Sequence, residues 1–160
     1  EVHLIMDERL IQDLEIREAR AEDLPAVMPL FGQLGMDDGR VLDAAKAEEL
    51  FEKMRRYPDY RLYLAALDGQ VLGAFCLLIM DNFAHHGAPS GIVEDVVVRE
   101  GRRGRGIGAA MMRFAMARCR EKNCYKMVLS SNRNRKEAHR FYRSLGFEAH
   151  GYSFGVEIEP

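Results

Sequence analysis

The plainest chemistry in this chain lies where a short apolar strand runs into a helix: Val96-Val97-Val98-Arg99-Glu100-Gly101-Arg102-Arg103-Gly104-Arg105-Gly106-Ile107-Gly108-Ala109. Four glycines and three arginines fill the turn from Gly101 to Gly108. Glycine lets the backbone come close to a ligand, the first N–H groups of a helix have no partner inside it, and the helix dipole favours negative charge at that end. Such a turn is a cradle for phosphate. It is not a Walker loop, because no Gly-Lys-Ser/Thr follows. From Gly106 it does not complete a dinucleotide GxGxxG either, because Gly106-Ile107-Gly108 leads into Ala109-Ala110-Met111.

The strand before the turn carries a second signal. Glu94 and Asp95 interrupt the apolar run Ile92-Val93-Glu94-Asp95-Val96-Val97-Val98. Taking a carboxylate out of water costs free energy, so an acid within such a strand is either a functional group or half of an ion pair. Strand alternation places Glu94 with Val96 and Val98 on one face and Asp95 with Val97 on the other, so one carboxylate is expected to reach a cleft. His85 and His86 are adjacent, a spacing at which two histidines rarely share one metal, and no metal is expected. Cys76, Cys119 and Cys124 show no CxxC spacing, no nearby His pair and no nucleophile motif. That supports neither a disulfide framework nor a zinc site and fits a reducing, cytoplasmic setting. The nine methionines read as core filling.

These groups need a scaffold, and the pattern supplies one. Residues 14–19 read as a strand, and a helix opens at Asp23 with Pro25 in its first turn and runs to about Leu34. Asp43 can cap a second helix in which Ala47, Leu50, Phe51 and Met54 recur at helical spacing. Two apolar runs, 61–67 and 71–79, are joined by Asp68-Gly69, a hairpin signal. Residues 91–98 form a third long strand. Ile107, Ala110, Met111, Phe114 and Ala115 mark an amphipathic helix over 107–122, and a strand over 125–131 and a helix over 135–145 follow. Residues 147–158 are expected to close the sheet with one or two strands. The order β-α-α-β-β-β-α-β-α-β predicts an α/β domain with a mixed sheet flanked by helices.

With 160 residues, 48% hydrophobic and 30% charged, the chain suits one ordinary domain and excludes disordered and collagenous classes. No apolar run reaches the ~20 residues of a membrane helix, and the N-terminus shows no secretory leader, so neither a membrane nor export is expected. The net charge of −2 hides an asymmetry. Residues 1–98 carry 9 Lys/Arg against 19 Asp/Glu, whereas residues 99–143 carry 14 against 3. A basic segment on an acidic body points to an anionic partner. A nucleic acid is disfavoured, because no aromatics interleave with the arginines between Arg99 and Arg113 and the acidic remainder opposes a long polyanion.

The turn matches the pattern Arg/Gln-x-x-Gly-x-Gly/Ala as Arg103-Gly104-Arg105-Gly106-Ile107-Gly108, and here the sequence resembles the GNAT superfamily of acyl-CoA-dependent N-acyltransferases. Ile92 to Val98 resembles that family's central strand. Ala138-His139-Arg140-Phe141-Tyr142-Arg143-Ser144-Leu145-Gly146-Phe147 resembles its terminal helix and Gly-Phe turn. The resemblance covers roughly residues 91–148. It implies a GNAT-like domain over residues 15–160 after an N-terminal extension of residues 1–14, with parallel central strands that splay apart. It implies acetyl-CoA as co-substrate, held by the backbone of Val96, Val97 and Val98 and by Arg103, Gly104, Arg105, Gly106, Ile107, Gly108 and Ala109. Arg135 joins this set, standing where many members carry Asn and some carry Arg. Tyr142, by itself a core aromatic beside Phe141, becomes a proton donor to the departing thiolate. Glu94 becomes the base that takes a proton from the amine. The expected activity is N-acetylation of a primary amine of a small molecule by direct attack. A protein or peptide amino group, or a non-catalytic acyl-CoA-binding or protein-interaction domain, is the alternative. Residues 31–43, 82–90 and 150–155 are expected to line the acceptor site, and a homodimer is compatible with this reading.

Overall fold

The computed structural model describes residues 2–158, with side chains from Glu8 onward. Glu1 and the last two residues of the expected domain lie outside the described residues. Two compact units divide the chain, one up to Val128 and one from Leu129 on.

The first unit begins with helix α1 (Val2–Asp13), over residues where no element was expected. Strand β1 (Glu15–Glu18) leads into helix α2 (Leu24–Phe31), which a short 3-10 turn extends to Leu34. Asp23 stands at the N-terminus of α2 but does not cap it. Its carboxylate instead accepts two hydrogen bonds from the Arg17 guanidinium, at 2.7 and 2.9 Å, and one from the Arg20 N–H at 2.7 Å. That pairing holds the Asp23 carboxyl below its usual range and ties β1 to the start of α2. Asp43 does cap helix α3 (Ala44–Arg55), accepting from the Lys46 N–H at 2.9 Å.

Strands β2 (Tyr60–Leu67) and β3 (Gln70–Met80) form the expected hairpin. Asp68 and Gly69 have φ of +48° and +76°, the two left-handed residues that a type I′ turn requires. Strand β4 (Ser90–Val98) pairs antiparallel with β3, and helix α4 (Ile107–Glu121) crosses over to β5 (Lys126–Leu129). The sheet order is β1-β2-β3-β4-β5, with β5 the parallel member of an otherwise antiparallel sheet.

Side-chain parity divides the core between the two faces. On one face α4 lays Ile107, Met111, Met112 and Ala115 against the sheet, all buried. Gly73 permits this approach, since a Cβ there would stand 3.0 Å from the Met111 sulfur. On the other face Val27 and Leu30 of α2 and Ala47 and Phe51 of α3 pack with Leu62, Leu64, Ala74, Cys76 and Val97 of the sheet. Each large side chain buried in this way contributes roughly 1.5–3 kcal/mol.

The second unit carries helix α5 (Lys136–Ser144), which ends at Gly146 with φ +89°. Residues 147–158 form no strand, contrary to expectation. Tyr152, Phe154, Val156 and Ile158 do alternate with polar or small residues, but all four are exposed. Alternation makes a strand only where one face is buried and an edge is paired.

Candidate active site

The glycine turn opens between β4 and α4. Arg99 fixes its entry: the backbone N–H donates to the Leu72 carbonyl at 2.7 Å, and Nε donates to the Val71 carbonyl at 2.8 Å. The Glu100 N–H then donates to the Gln33 side-chain oxygen at 2.8 Å, tying the turn to the end of α2. Gly104 and Gly106 have φ of +74° and +85°, which side-chain-bearing residues adopt only under strain. Beyond the Arg102 N–H, the next one bonded is that of Ala110, which donates to the Gly106 carbonyl at 2.9 Å. Among the described residues, the N–H groups from Arg103 to Ala109 have no protein acceptor. Arg103 is exposed, and Arg102 and Arg105 are partly so. Unpaired donors, a helix N-terminus and three guanidinium groups together suit an anion.

The strand that feeds this turn is not regular. In the β3–β4 ladder Cys76 pairs with Glu94 and Ala74 with Val97, so Asp95 and Val96 together oppose Phe75. This is a β-bulge, with Asp95 left-handed at φ +54°. It corrects the alternation expected from the sequence. Glu94 and Val97 share the α2–α3 face, and no two-residue period runs through Glu94, Val96 and Val98. The extra residue arises because Asp, like Asn, enters the left-handed region at lower cost than most residues.

Beyond the bulge the strand outruns its neighbour. The Tyr125 N–H donates to the Pro89 carbonyl at 3.0 Å, so β5 starts level with the start of β4. With four residues against nine, β5 ends before Val96 to Val98.

Beside the bulge, between α2, α3 and the sheet, lies a cavity of about 620 Å³. Met28, Phe31, Leu42, Leu50, Phe51 and Met54 supply much of its wall, and Asp95, Tyr60 and Cys76 line it from the sheet. Of the segments expected to line an acceptor site, 31–43 contributes seven residues, from Phe31 to Leu42, and 82–90 contributes none. Residues of α3 and β2 were missed. Their amphipathic spacing reads equally as core, and only the fold shows which apolar positions stay uncovered.

Burial pushes the Asp95 and Glu94 carboxyls up, Glu94 also through the neighbouring Asp95 charge. Neither has an ion-pair partner among the described residues. The Tyr60 phenol is raised to about 12 by burial and by the Cys76, Asp95 and Glu94 charges, so the four groups form one neighbourhood. Burial also pushes the Cys76 and Cys119 thiols to about 12 and raises Cys124. None of them is poised as a thiolate. No group of three or more His, Cys, Asp or Glu among the described residues is arranged to hold a metal, and none of their helices is long and apolar enough to cross a membrane.

In the second unit Tyr142 lies between Phe141 and Phe147, with ring centroids 5.1 and 5.5 Å away. Burial raises its phenol, and the Arg135 charge acts in the opposite sense. Arg135 is exposed at the N-terminus of α5. The loop before it is self-bonded: the Asn132 side chain accepts from the Asn134 N–H at 2.9 Å, and the Asn132 carbonyl lies 2.9 Å from His139 Nε2. A protonated phenol and an exposed guanidinium are the chemical resources of this unit.

Comparison with known proteins agrees with this geometry. The model of the acetyltransferase (GNAT) family matches residues 16–147. The glucosamine 6-phosphate N-acetyltransferase of Trypanosoma brucei brucei is 31% identical over 149 residues, 92% of this chain and 98% of that protein. The aminoalkylphosphonate N-acetyltransferase of Salmonella typhimurium is 29% identical, with 88% of each chain aligned. Among solved structures, a Trypanosoma brucei acetyltransferase superposes with a TM-score of 0.79 at 29% identity, covering 91% of this chain and all of that one. The glucosamine-6-phosphate N-acetyltransferase of Arabidopsis thaliana shares the fold, with a TM-score of 0.81 at 23% identity over 91% and 99% of the two chains.

Proposed function

Because the chain belongs to the acetyltransferase (GNAT) family, we propose that it transfers the acetyl group of acetyl-CoA to the primary amine of a small molecule. The observation that carries this reading is the run of N–H groups from Arg103 to Ala109 at the head of α4, which have no acceptor among the described residues. These donors suit the coenzyme pyrophosphate, and Arg102, Arg103 and Arg105 suit its remaining phosphate charge. The edge of β4 at Val96, Val97 and Val98, which outruns β5, suits the pantetheine amides as an added strand would. Arg135 is assigned to the cofactor by the family resemblance alone. Two relatives named for small amine substrates favour a small acceptor over a protein amino group.

The reaction runs by direct attack. An ammonium first loses a proton, and the neutral nitrogen then attacks the thioester carbonyl, forming the C–N bond. The C–S bond breaks, the nitrogen sheds its second proton, and the thiolate takes one up. Glu94, directly or through water, is the proposed first acceptor, and its lifted pKa makes it a stronger base than an ordinary carboxylate. Tyr142 is the proposed donor to sulfur. A phenol raised by burial stays protonated at neutral pH, as a donor must. A covalent acetyl-cysteine is disfavoured by thiols pushed to about 12 at Cys76 and Cys119.

Initial-velocity kinetics test this reading. Double-reciprocal plots with acetyl-CoA and an amine are expected to intersect. Parallel lines, or acetyl label retained on a cysteine, would overturn direct attack.

A further inference from the structure

The cavity beside the Asp95 bulge has a chemistry that the names of the relatives do not suggest. Its wall is apolar over α2 and α3, through Met28, Phe31, Leu50, Phe51 and Met54. Its ionisable charges are Asp37, Asp95 and Arg40. Arg40 is engaged with its own loop. Its side chain is 79% exposed, Nε donates to the Asp37 carbonyl at 3.1 Å, and Nη2 lies 4.0 Å from the Asp38 carboxylate. A phosphate or phosphonate entering here would meet two carboxylates against one described cation, Arg40, whose exposed side chain is already engaged with its own loop.

A cationic head on an apolar body meets the opposite situation. Asp95 is an accessible carboxylate on the sheet wall with no ion-pair partner among the described residues, and the left-handed bulge turns it out of the ladder beside Cys76 and Tyr60. The volume, about 620 Å³, lies within the usual range for small-molecule sites.

We propose that the acceptor is an amine carried on an apolar, unphosphorylated body such as an aralkyl or alkyl chain, the body seated against α2 and α3 and the ammonium recruited by Asp95. This rests on the reading of the chain as an amine N-acetyltransferase and adds the acceptor class to it. One proton then leaves the recruited ammonium before attack, as in the scheme above.

The test compares 2-phenylethylamine and hexylamine with glucosamine 6-phosphate and 2-aminoethylphosphonate, at fixed acetyl-CoA, by release of free thiol. The apolar amines are expected to exceed the anionic ones in kcat/KM by about tenfold or more. Leu50→Arg, at a position 44% exposed and so able to take a charge, is expected to raise the KM for 2-phenylethylamine about tenfold while coenzyme affinity is kept. Asp95→Asn, which keeps the left-handed backbone accessible, should weaken calorimetric binding of 2-phenylethylamine but not that of 2-phenylethanol. Preference for the anionic amines, or a Leu50→Arg enzyme indistinguishable from wild type, overturns the proposal and leaves the N-acetyltransferase reading standing. If no amine releases thiol and calorimetry finds no coenzyme A binding, that reading falls and takes the proposal with it.

Discussion

Two regions flank the second half of β4 and offer a ligand different means of recognition. On the turn side, residues 99–109 present backbone N–H groups and arginines in one contiguous stretch, held open by left-handed glycines. On the bulge side, the cavity is assembled from residues 24 to 95, drawn from α2, α3, β2, β3, β4 and the segment between the two helices, and what it offers is side chains. Backbone recognition suits a ligand that every family member shares, because it depends on chain geometry and hardly on side-chain identity. Side-chain recognition suits a ligand that differs from member to member, since exposed wall residues such as Leu50 can change without disturbing the core.

If both regions mainly hold substrates, a proton donor outside both should affect turnover and little else. Tyr142→Phe is therefore expected to cut kcat by about 100- to 10,000-fold, with coenzyme affinity unchanged by calorimetry. Full turnover in that variant, with chemistry rate-limiting, would make Tyr142 a packing residue and leave water to protonate sulfur.

The next effect sharpens the backbone half of the contrast. For Gly104→Val, a Cβ would meet no described atom within 4 Å beyond its chain neighbours, at φ +74°. Coenzyme affinity should fall by about 100-fold, with the melting temperature lowered by only a few degrees through the strained φ. Gly106 is the less clean site, because a Cβ there would come within 3.2 Å of Ile11 on α1. Unchanged coenzyme binding in Gly104→Val would break the backbone half.

The smallest expected effect concerns the cavity half. The Asp95 carboxyl is raised in the fold, so the folded chain holds that proton more tightly than the unfolded chain. Stability from this group is then present below the ordinary carboxylate pKa and declines as pH rises through the lifted one. Asp95→Asn should melt higher than wild type at neutral pH, on the order of a degree, with the gain vanishing in acid. A variant that melts lower at neutral pH would mean that Asp95 has a stabilising partner.

The same contrast explains what could be read before folding. The glycine turn was legible because its donors are consecutive, and the hairpin at Asp68-Gly69 and the Asp43 cap were legible because each depends on neighbours in sequence. The bulge was not, since Asp95 is not a glycine and the shift is visible only against the β3 register. Nor was the cavity: Leu50 and Phe51 share a helical pattern, yet Phe51 is buried and Leu50 is 44% exposed, a difference set by packing from elsewhere in the chain. The tail misled in the opposite direction, for Tyr152 to Ile158 has the period of a strand without a buried face.

Amide hydrogen exchange, followed separately with each ligand, tests the central claim most directly. Coenzyme A alone is expected to slow exchange at 96–98 and 103–109 and to leave 24–62 unchanged, whereas 2-phenylethylamine alone should slow exchange within 24–62 and leave 103–109 unchanged. Protection of 24–62 by coenzyme A, with none at 103–109, would contradict the account.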